Sequence, residues 1–418
     1  MSRPRIVVLG AGFGGLTFCQ AFHCAEADVT LVDRQNHHLF QPLLYQVATA
    51  GLAAPEIAQP IRSILRDKSN VTVLLRQATG FDLARREVQF DHAALPYDYL
   101  VLALGGVTTY FGHPEWEKFA YGLKSLEDAL HIRGEVLLSF ELAENSTDPA
   151  EKQRLMTIVI VGGGPTGVEL AGAFAELTRK VLKGDFQRID PGQARVVLIE
   201  GTPRLLRQFS ERLSVSAVKQ LTRLGVEVRT GVNVTDMGKG FIQFSDGSRI
   251  ESASIIWAAG VAANPLTQKL GVPLDRSGRV QVNPDLSLPG HPEVFAIGDM
   301  ALVLDEQKQP VPGVSPAAMQ MARHAARIIQ DELHGRRSSP RPAFKYWDKG
   351  MMATIGRSAA VAQIGRLQFS GWVAWVSWLL VHLLFLIGFR NKAAVLLQWI
   401  YSYFTYKRGS RIITRAES

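Results

Sequence analysis

Gly10, Gly12 and Gly15 follow the apolar run 6–9 with the spacing G-x-G-x-x-G. The first glycine allows a tight turn, the second lets backbone approach a pyrophosphate, and the third lets a helix pack on the preceding strand. Gly14 sits inside the same turn. The free N–H groups and positive end of the helix that follows suit phosphate oxygens. Asp33 closes the next apolar run, eighteen residues after Gly15, where a carboxylate can hold both hydroxyls of a ribose. The chemistry implied is the binding of a dinucleotide.

The pattern occurs twice. Gly162, Gly164 and Gly167 follow the run 156–161 with the same spacing, and Glu200 closes the run 196–199. The gap from Gly167 to Glu200 is 33 residues, and the basic segment 179–193 accounts for its length as a helix extension and a loop. Chance would have to reproduce strand, glycines, helix and acid two times over. A carboxylate at Glu200 suits NADH and repels a 2′-phosphate, while Arg204 and Arg207 keep NADPH as the less favoured alternative. Two more apolar runs enter glycine, one at Gly105 and one at Gly260, as suits backbone passing close to a flat ligand. A third delivers Gly298 and Asp299, which can set one carboxylate on a polyol chain.

The elements that must position these residues are α/β. At 418 residues the chain exceeds one ordinary core. The fold class expected is two Rossmann-like dinucleotide-binding domains followed by a C-terminal amphipathic helical segment that anchors to a membrane. Helices are expected at 16–25, 125–145, 168–180 and 316–333, with short strands at 71–75 and 87–90. The two cysteines, Cys19 and Cys24, exclude a disulfide framework and read as core residues five apart on the first helix. His37 and His38 read as capping or solvent-facing. No H-E-x-x-H or C-x-x-C spacing occurs, so no metal is expected. A core strand begins by residue 5, which leaves no room for a signal peptide and implies retention in the cytoplasm.

The formal charge is +8, and residues 390–418 hold six basic residues against one acid. The basic excess therefore belongs to the tail and is not a nucleic-acid footprint spread over a face. Just before it, residues 369–389 carry no charge, and Trp372, Trp375 and Trp378 recur every third residue. The length would allow a membrane span. Topology opposes one: the basic tail and the NADH site both belong on the cytoplasmic side, and 393–406 is too short to cross back. Two interfacial helices, about 369–388 and 393–408, fit better. They would bury tryptophan, leucine and phenylalanine and set Arg390, Lys392, Lys407, Arg408 and Arg411 on anionic headgroups. A buried dimer interface is the alternative, and a homodimer through the same tail is compatible with membrane docking.

Together, the two fingerprints and the runs 257–260 and 294–299 resemble the two-dinucleotide-binding flavoprotein superfamily. The stretches 40–45, 162–169 and 353–357, with the greasy basic tail, narrow the resemblance to the type II, non-proton-pumping NADH:quinone oxidoreductases. That resemblance implies FAD on the first turn, with Gly10, Gly12, Gly15, Asp33, Gly105 and Asp299, and NADH on the second, with Gly162, Gly164, Gly167 and Glu200. Gly14 and Gly260 are counted with the cofactor-binding set. It implies an FAD domain of 1–112 and 263–340, an NADH domain of 113–262 and a membrane-anchoring region of 341–418. Glu169, just after the second turn, is implied in proton handling near the nicotinamide and flavin. Of the two glutamines in the family's A-Q-x-A-x-Q motif at the quinone end of the flavin, only the last, Gln320, is kept, with Pro316 in place of the first, and Gln320 is implied in quinone positioning and proton supply. The reaction implied is hydride transfer from NADH to FAD, then reduction of a membrane quinone. The enzyme would sit monotopically on the cytoplasmic face of the cell membrane. With no thiol placed beside the flavin, electrons would leave it directly, which argues against a sulfide:quinone oxidoreductase. A soluble electron-carrier reductase and a slow membrane-bound NADH sensor are the other rivals.

Overall fold

The structure is a computed structural model that describes residues 3–405 and 409–413. It divides into two compact units. The first comprises Met1–Leu39, Ala58–Val107 and Val261–Lys349, and the second Phe40–Ile57, Thr108–Gly260 and Gly350–Ser418.

The chain opens with β1 (Arg5–Leu9), α1 (Phe13–Ala21) and β2 (Asp28–Asp33), followed by α2 (Leu44–Ala48), β3 (Val71–Leu75) and β4 (Tyr99–Leu102). Next come β5 (Tyr121–Gly122), α3 (Leu126–Asn145), β6 (Thr157–Val161), α4 (Pro165–Glu176) and β7 (Arg195–Glu200). Then follow α5 (Glu211–Arg223), β8 (Val226–Thr230), β9 (Ser254–Trp257), β10 (Ser287–Leu288), β11 (His291–Ala296) and α6 (Ser315–Leu333). The chain continues with β12 (Met351–Gly356), β13 (Ala359–Ile364), β14 (Leu367–Ser370), α7 (Trp372–Phe385) and α8 (Phe389–Thr405).

The first unit is built on a six-stranded sheet in the order β10-β11-β4-β1-β2-β3, and the second on a five-stranded sheet in the order β5-β9-β6-β7-β8. Each places its fingerprint strand centrally. Ile6 of β1 lies opposite Val29 of β2 and Tyr99 of β4, all parallel. Ile158 of β6 lies opposite Val196 of β7 and Ser254 of β9, again parallel. A central parallel strand is covered on both faces. This is why 6–9 and 158–161 are unbroken apolar runs and are buried throughout.

The expected helices form with adjusted ends. α1 starts at Phe13 and stops at Ala21, so Cys24 lies beyond it in a loop, not on the helix. α4 ends at Glu176, and the wider π turn Leu177–Val181 begins the extra length before β7. The domain division also differs from the sequence-based one. Residues 40–57 and 350–418 belong to the second unit because α2 packs on α3 and α4, and β12 packs on α4.

The C-terminal region departs most from expectation. Leu367–Ser370 is a strand, so the first tail helix starts at Trp372 and spans fourteen residues. The second starts at Phe389 rather than 393. Among the described residues, no helix is long and apolar enough to cross a membrane. The tryptophans do not share one face. Residues three apart on a helix turn by about 300°, so Trp372 and Trp378 point about 120° apart. Trp372 is exposed, Trp375 stacks on Tyr403, and Trp378 is buried. Two of the tail cations also have protein partners. Lys392 Nζ donates to Leu384 O at the end of α7, and Arg411 pairs with Asp185. Arg390 is exposed, and Lys407 and Arg408 lie outside the described residues.

Candidate functional site

The two glycine turns have the same hydrogen-bond plan. Gly10 N donates to Val32 O at 2.8 Å and Gly162 N to Ile199 O at 2.7 Å. Both glycines have positive φ, +95° and +114°, and a Cβ on either would meet backbone, at Ala103 or Ala258. Gly15 and Gly167 lie so close to the carbonyls of Gly10 and Gly162 that a Cβ would sit 1.8 Å away in each case. The middle glycines differ. At Gly12 and Gly164 nothing lies within 4 Å of a built Cβ, which leaves room for a phosphate. Each is the N-cap of its helix, and neither helix start is capped by a side chain, so N–H donors remain for an anion.

The acids match too. Asp33 accepts from Ala11 N at 2.5 Å and Gln35 N at 2.7 Å. Glu200 accepts from Gly163 N at 2.6 Å and Thr202 N at 2.8 Å. In both, each carboxylate oxygen keeps a lone pair for a ribose hydroxyl. The first unit adds Gly105, at φ +67° with open space beside it, and Asp299, which lines a cleft with Gly298 and Gly313. These features fit FAD on the first turn and a second dinucleotide on the other. Gly260 has φ +81° and is crowded by Phe111 and Thr109, so its place is set by packing in the second unit. Arg204 donates to Arg207 O.

Gln320 lies on α6 in the first unit, and Glu169 belongs to the second. Its amide is engaged both ways: Nε2 donates to Trp347 O and Oε1 accepts from Trp347 N, each at 3.0 Å. His38 corrects the sequence expectation. The strand His37–Leu39 sends alternate side chains inward, so His38 is buried, with Nδ1 donating to Ala11 O at 2.9 Å. Both cysteines are free and buried, and burial pushes Cys19 up to about 12. Cys24, Glu26 and His334 gather within 4.8 Å, with the Cys24 thiol donating to Glu26 and His334 Nδ1 beside an Arg336 guanidinium nitrogen.

Glu169 occupies the most distinctive position. It lies one turn into α4, and α4 lies directly on β12: a Cβ at Gly172 would be 1.5 Å from Ile355 O. That close approach brings the Glu169 carboxyl to the β12 backbone, where Oε1 accepts from Thr354 N at 3.4 Å. The carboxyl lines a cavity of about 500 Å³ within the second unit, with Tyr45, Gln46, Thr354, Trp378 and Trp399. Burial pushes Glu169 up to about 8, opposed by the Thr354 N–H and by Trp378. Trp378 Nε1 is buried beside the carboxyl, close enough to favour its ionised form but outside hydrogen-bonding geometry, and has no other acceptor.

Sequence reasoning marks Glu169 but not its surroundings. Trp399 Nε1 donates to Gln46 Oε1 at 2.8 Å, and Gln46 Nε2 donates to the Tyr45 hydroxyl at 2.8 Å. Trp378 stacks on His382 at 4.0 Å, and burial pulls His382 down to about 4. Arg357 donates to Ser402 O at 2.6 Å and lies over the Tyr403 ring, holding the end of α8 to the turn after β12. The signal available for Gly172 is a glycine inside an otherwise good helix, which marks a close packing contact.

Known proteins agree with this geometry. Residues 4–325 match the pyridine nucleotide-disulphide oxidoreductase family. Over 99% of its length the chain is 46% identical to the type II NADH:quinone oxidoreductase Ndh of Mycobacterium tuberculosis, covering 90% of that protein. It is 44% identical, over the same shares of both chains, to NdhA of that organism, another type II NADH:quinone oxidoreductase. The fold superposes on NDH2 of Plasmodium falciparum, solved in complex with NADH, with a TM-score of 0.90 at 23% identity, covering 98% of this chain and 99% of that one. The twin nucleotide turns, the buried carboxyl and these likenesses lead to one assignment: the chain belongs to the type II NADH:quinone oxidoreductases, within the pyridine nucleotide-disulphide oxidoreductase family.

Proposed function

We propose that the second turn takes NADH, that the Glu169 cavity takes the head of a quinone, and that Glu169 supplies a proton to the reduced quinone. Oxidation of NADH with reduction of a quinone is the activity of the family to which the chain belongs. FAD, held on the first turn with Asp33, Gly105 and Asp299, supplies the redox chemistry between the two substrates. The observation that carries the reading is the buried Glu169 carboxyl in a largely apolar cavity. A value near 8 keeps it protonated at neutral pH, so it can donate to a carbonyl oxygen. The aromatic and aliphatic walls suit a flat head with a hydrocarbon tail. Glu200 favours NADH, because a 2′-phosphate would face its carboxylate.

The tail reading is part of the same proposal. Trp372, Leu380, Leu384, Leu397 and Phe404 are exposed on α7 and α8, an apolar surface suited to the headgroup boundary of a bilayer. The inward residues Trp378 and Val395 belong to the second unit's core, so deleting the tail would damage the fold as well as docking. The double substitution Leu384→Asp, Leu397→Asp separates the two. It is expected to keep flavin and reduction of a water-soluble quinone but to lose binding to anionic vesicles. Vesicle binding equal to wild type would remove the docking role. The central experiment is the flavin spectrum under anaerobic conditions: NADH should bleach it and quinone restore it. Bleaching without restoration would leave the quinone assignment untenable.

A further inference from the structure

We propose that Trp378 is a positioning residue for proton transfer, its indole N–H held in reserve for the ionised form of Glu169. The inference rests on the quinone reading of the cavity, but it concerns an element that reading treats as an anchor. α7 presents Trp372 outward and drives Trp378 into the second unit, where it is 1% exposed. The ring is fixed by His382 stacked at 4.0 Å, by Trp399 at 5.7 Å and by Tyr45 at 6.3 Å. Its Nε1 is a buried donor with no acceptor, set against a buried carboxyl. An orphaned buried donor is rare and costly, so this one calls for an explanation.

The two protonation states of Glu169 supply it. While Glu169 is neutral, its carbonyl oxygen is only a weak acceptor for the indole N–H. When Glu169 gives up its proton, the carboxylate becomes a strong acceptor, and the indole N–H can complete a charge-assisted hydrogen bond to it. The Thr354 N–H already serves one oxygen, so the indole supplies a second donor. The acid can then release its proton inside an apolar cavity without leaving a bare buried charge. Other titratable groups on the cavity wall are Tyr45 on α2, Glu176 on α4, Arg357 after β12 and Tyr403 on α8, with His382 behind the indole. The Glu176 carboxylate accepts from the Arg357 backbone N–H. None of these is among the causes acting on Glu169, which are burial, the Thr354 N–H and Trp378.

Infrared difference titration of the full-length flavoprotein reads the carboxyl directly, with Glu169→Gln identifying its band. Trp378→Phe removes the N–H and should raise the midpoint of that band by about one pH unit, the scale of one hydrogen bond to a charged group. The alkaline fall in quinone turnover should move upward by the same amount. Bound flavin reports whether the variant folds. If it does not, incorporating 3-benzothienylalanine at 378, which replaces N–H by sulfur in the same outline, is the substitute. An unmoved midpoint in a folded variant overturns the role of Trp378. A midpoint that moves while turnover keeps its pH profile supports the pairing but overturns the assignment of Glu169 as the proton donor.

Discussion

The two glycine turns share one backbone hydrogen-bond plan, and their helices part company seven residues after the first glycine. At that step α1 carries Thr17 and α4 carries Glu169, both buried. Three residues further, α1 carries exposed Gln20 and α4 carries Gly172, pressed against Ile355. The first turn of each helix has the same form, with N–H groups that no side chain caps. The second turn separates a nucleotide cradle from a cradle with an acid at its back. The difference lies in what covers the helix: α1 packs on α6, whereas α4 packs on the backbone of β12. Only the second arrangement brings a carboxyl to a strand N–H and into a cavity.

The strongest way to break this comparison is Gly172→Ala. Its methyl cannot coexist with Ile355 O at 1.5 Å, so α4 must leave β12. A loss above about 4 kcal/mol, or no folded protein, is expected in urea unfolding, while Gln20→Ala should stay within about 0.5 kcal/mol. A wild-type unfolding midpoint for Gly172→Ala would mean that the close packing is wrong.

Glu169→Gln should come next. Quinone turnover is expected to fall about 10²-fold, the scale of one proton donor, with NADH–ferricyanide activity retained. Thr17→Val should change neither. The same variant tests the proton affinity through stability. Native Glu169 holds a proton to about pH 8, whereas an ordinary carboxyl loses it near 4.5. Its contribution to stability is therefore full below pH 4.5 and fades as pH rises to about 8. Glutamine never ionises, so the variant should gain on wild type across that window and keep a constant lead above it. Parallel melting curves from pH 4 to 9 would refute the raised value.

Two further variants should sharpen the assignment of the turns. Asp33→Ala is expected to yield protein depleted of flavin. Glu200→Ala should keep flavin and raise the KM for NADH about tenfold, the loss of one charge-assisted hydrogen bond, with NADPH gaining in relative efficiency. The reverse pattern would exchange the two cofactors.

The cradles were legible because they are local. A buried strand, a glycine turn and an uncapped helix start are dictated by backbone geometry within a few residues, so Gly10 to Asp33 and Gly162 to Glu200 could be read directly. The tail was read less well. A repeat of three tryptophans looks like a stripe, but on a helix it winds around the axis, and one of the three becomes core. Gln320 was marked by the family motif, but no spacing along the chain shows that its amide is closed onto Trp347.

The sequence by itself determined two glycine turns between strand and helix, their order, the acids that close them and a greasy basic end. Tertiary structure alone decided what surrounds Glu169. Gln46, Thr354, Trp378 and Trp399 come from distant parts of the chain and share no period with it. They meet because a helix with a glycine in its second turn can lie against a strand, and no spacing along a sequence shows which strand that will be.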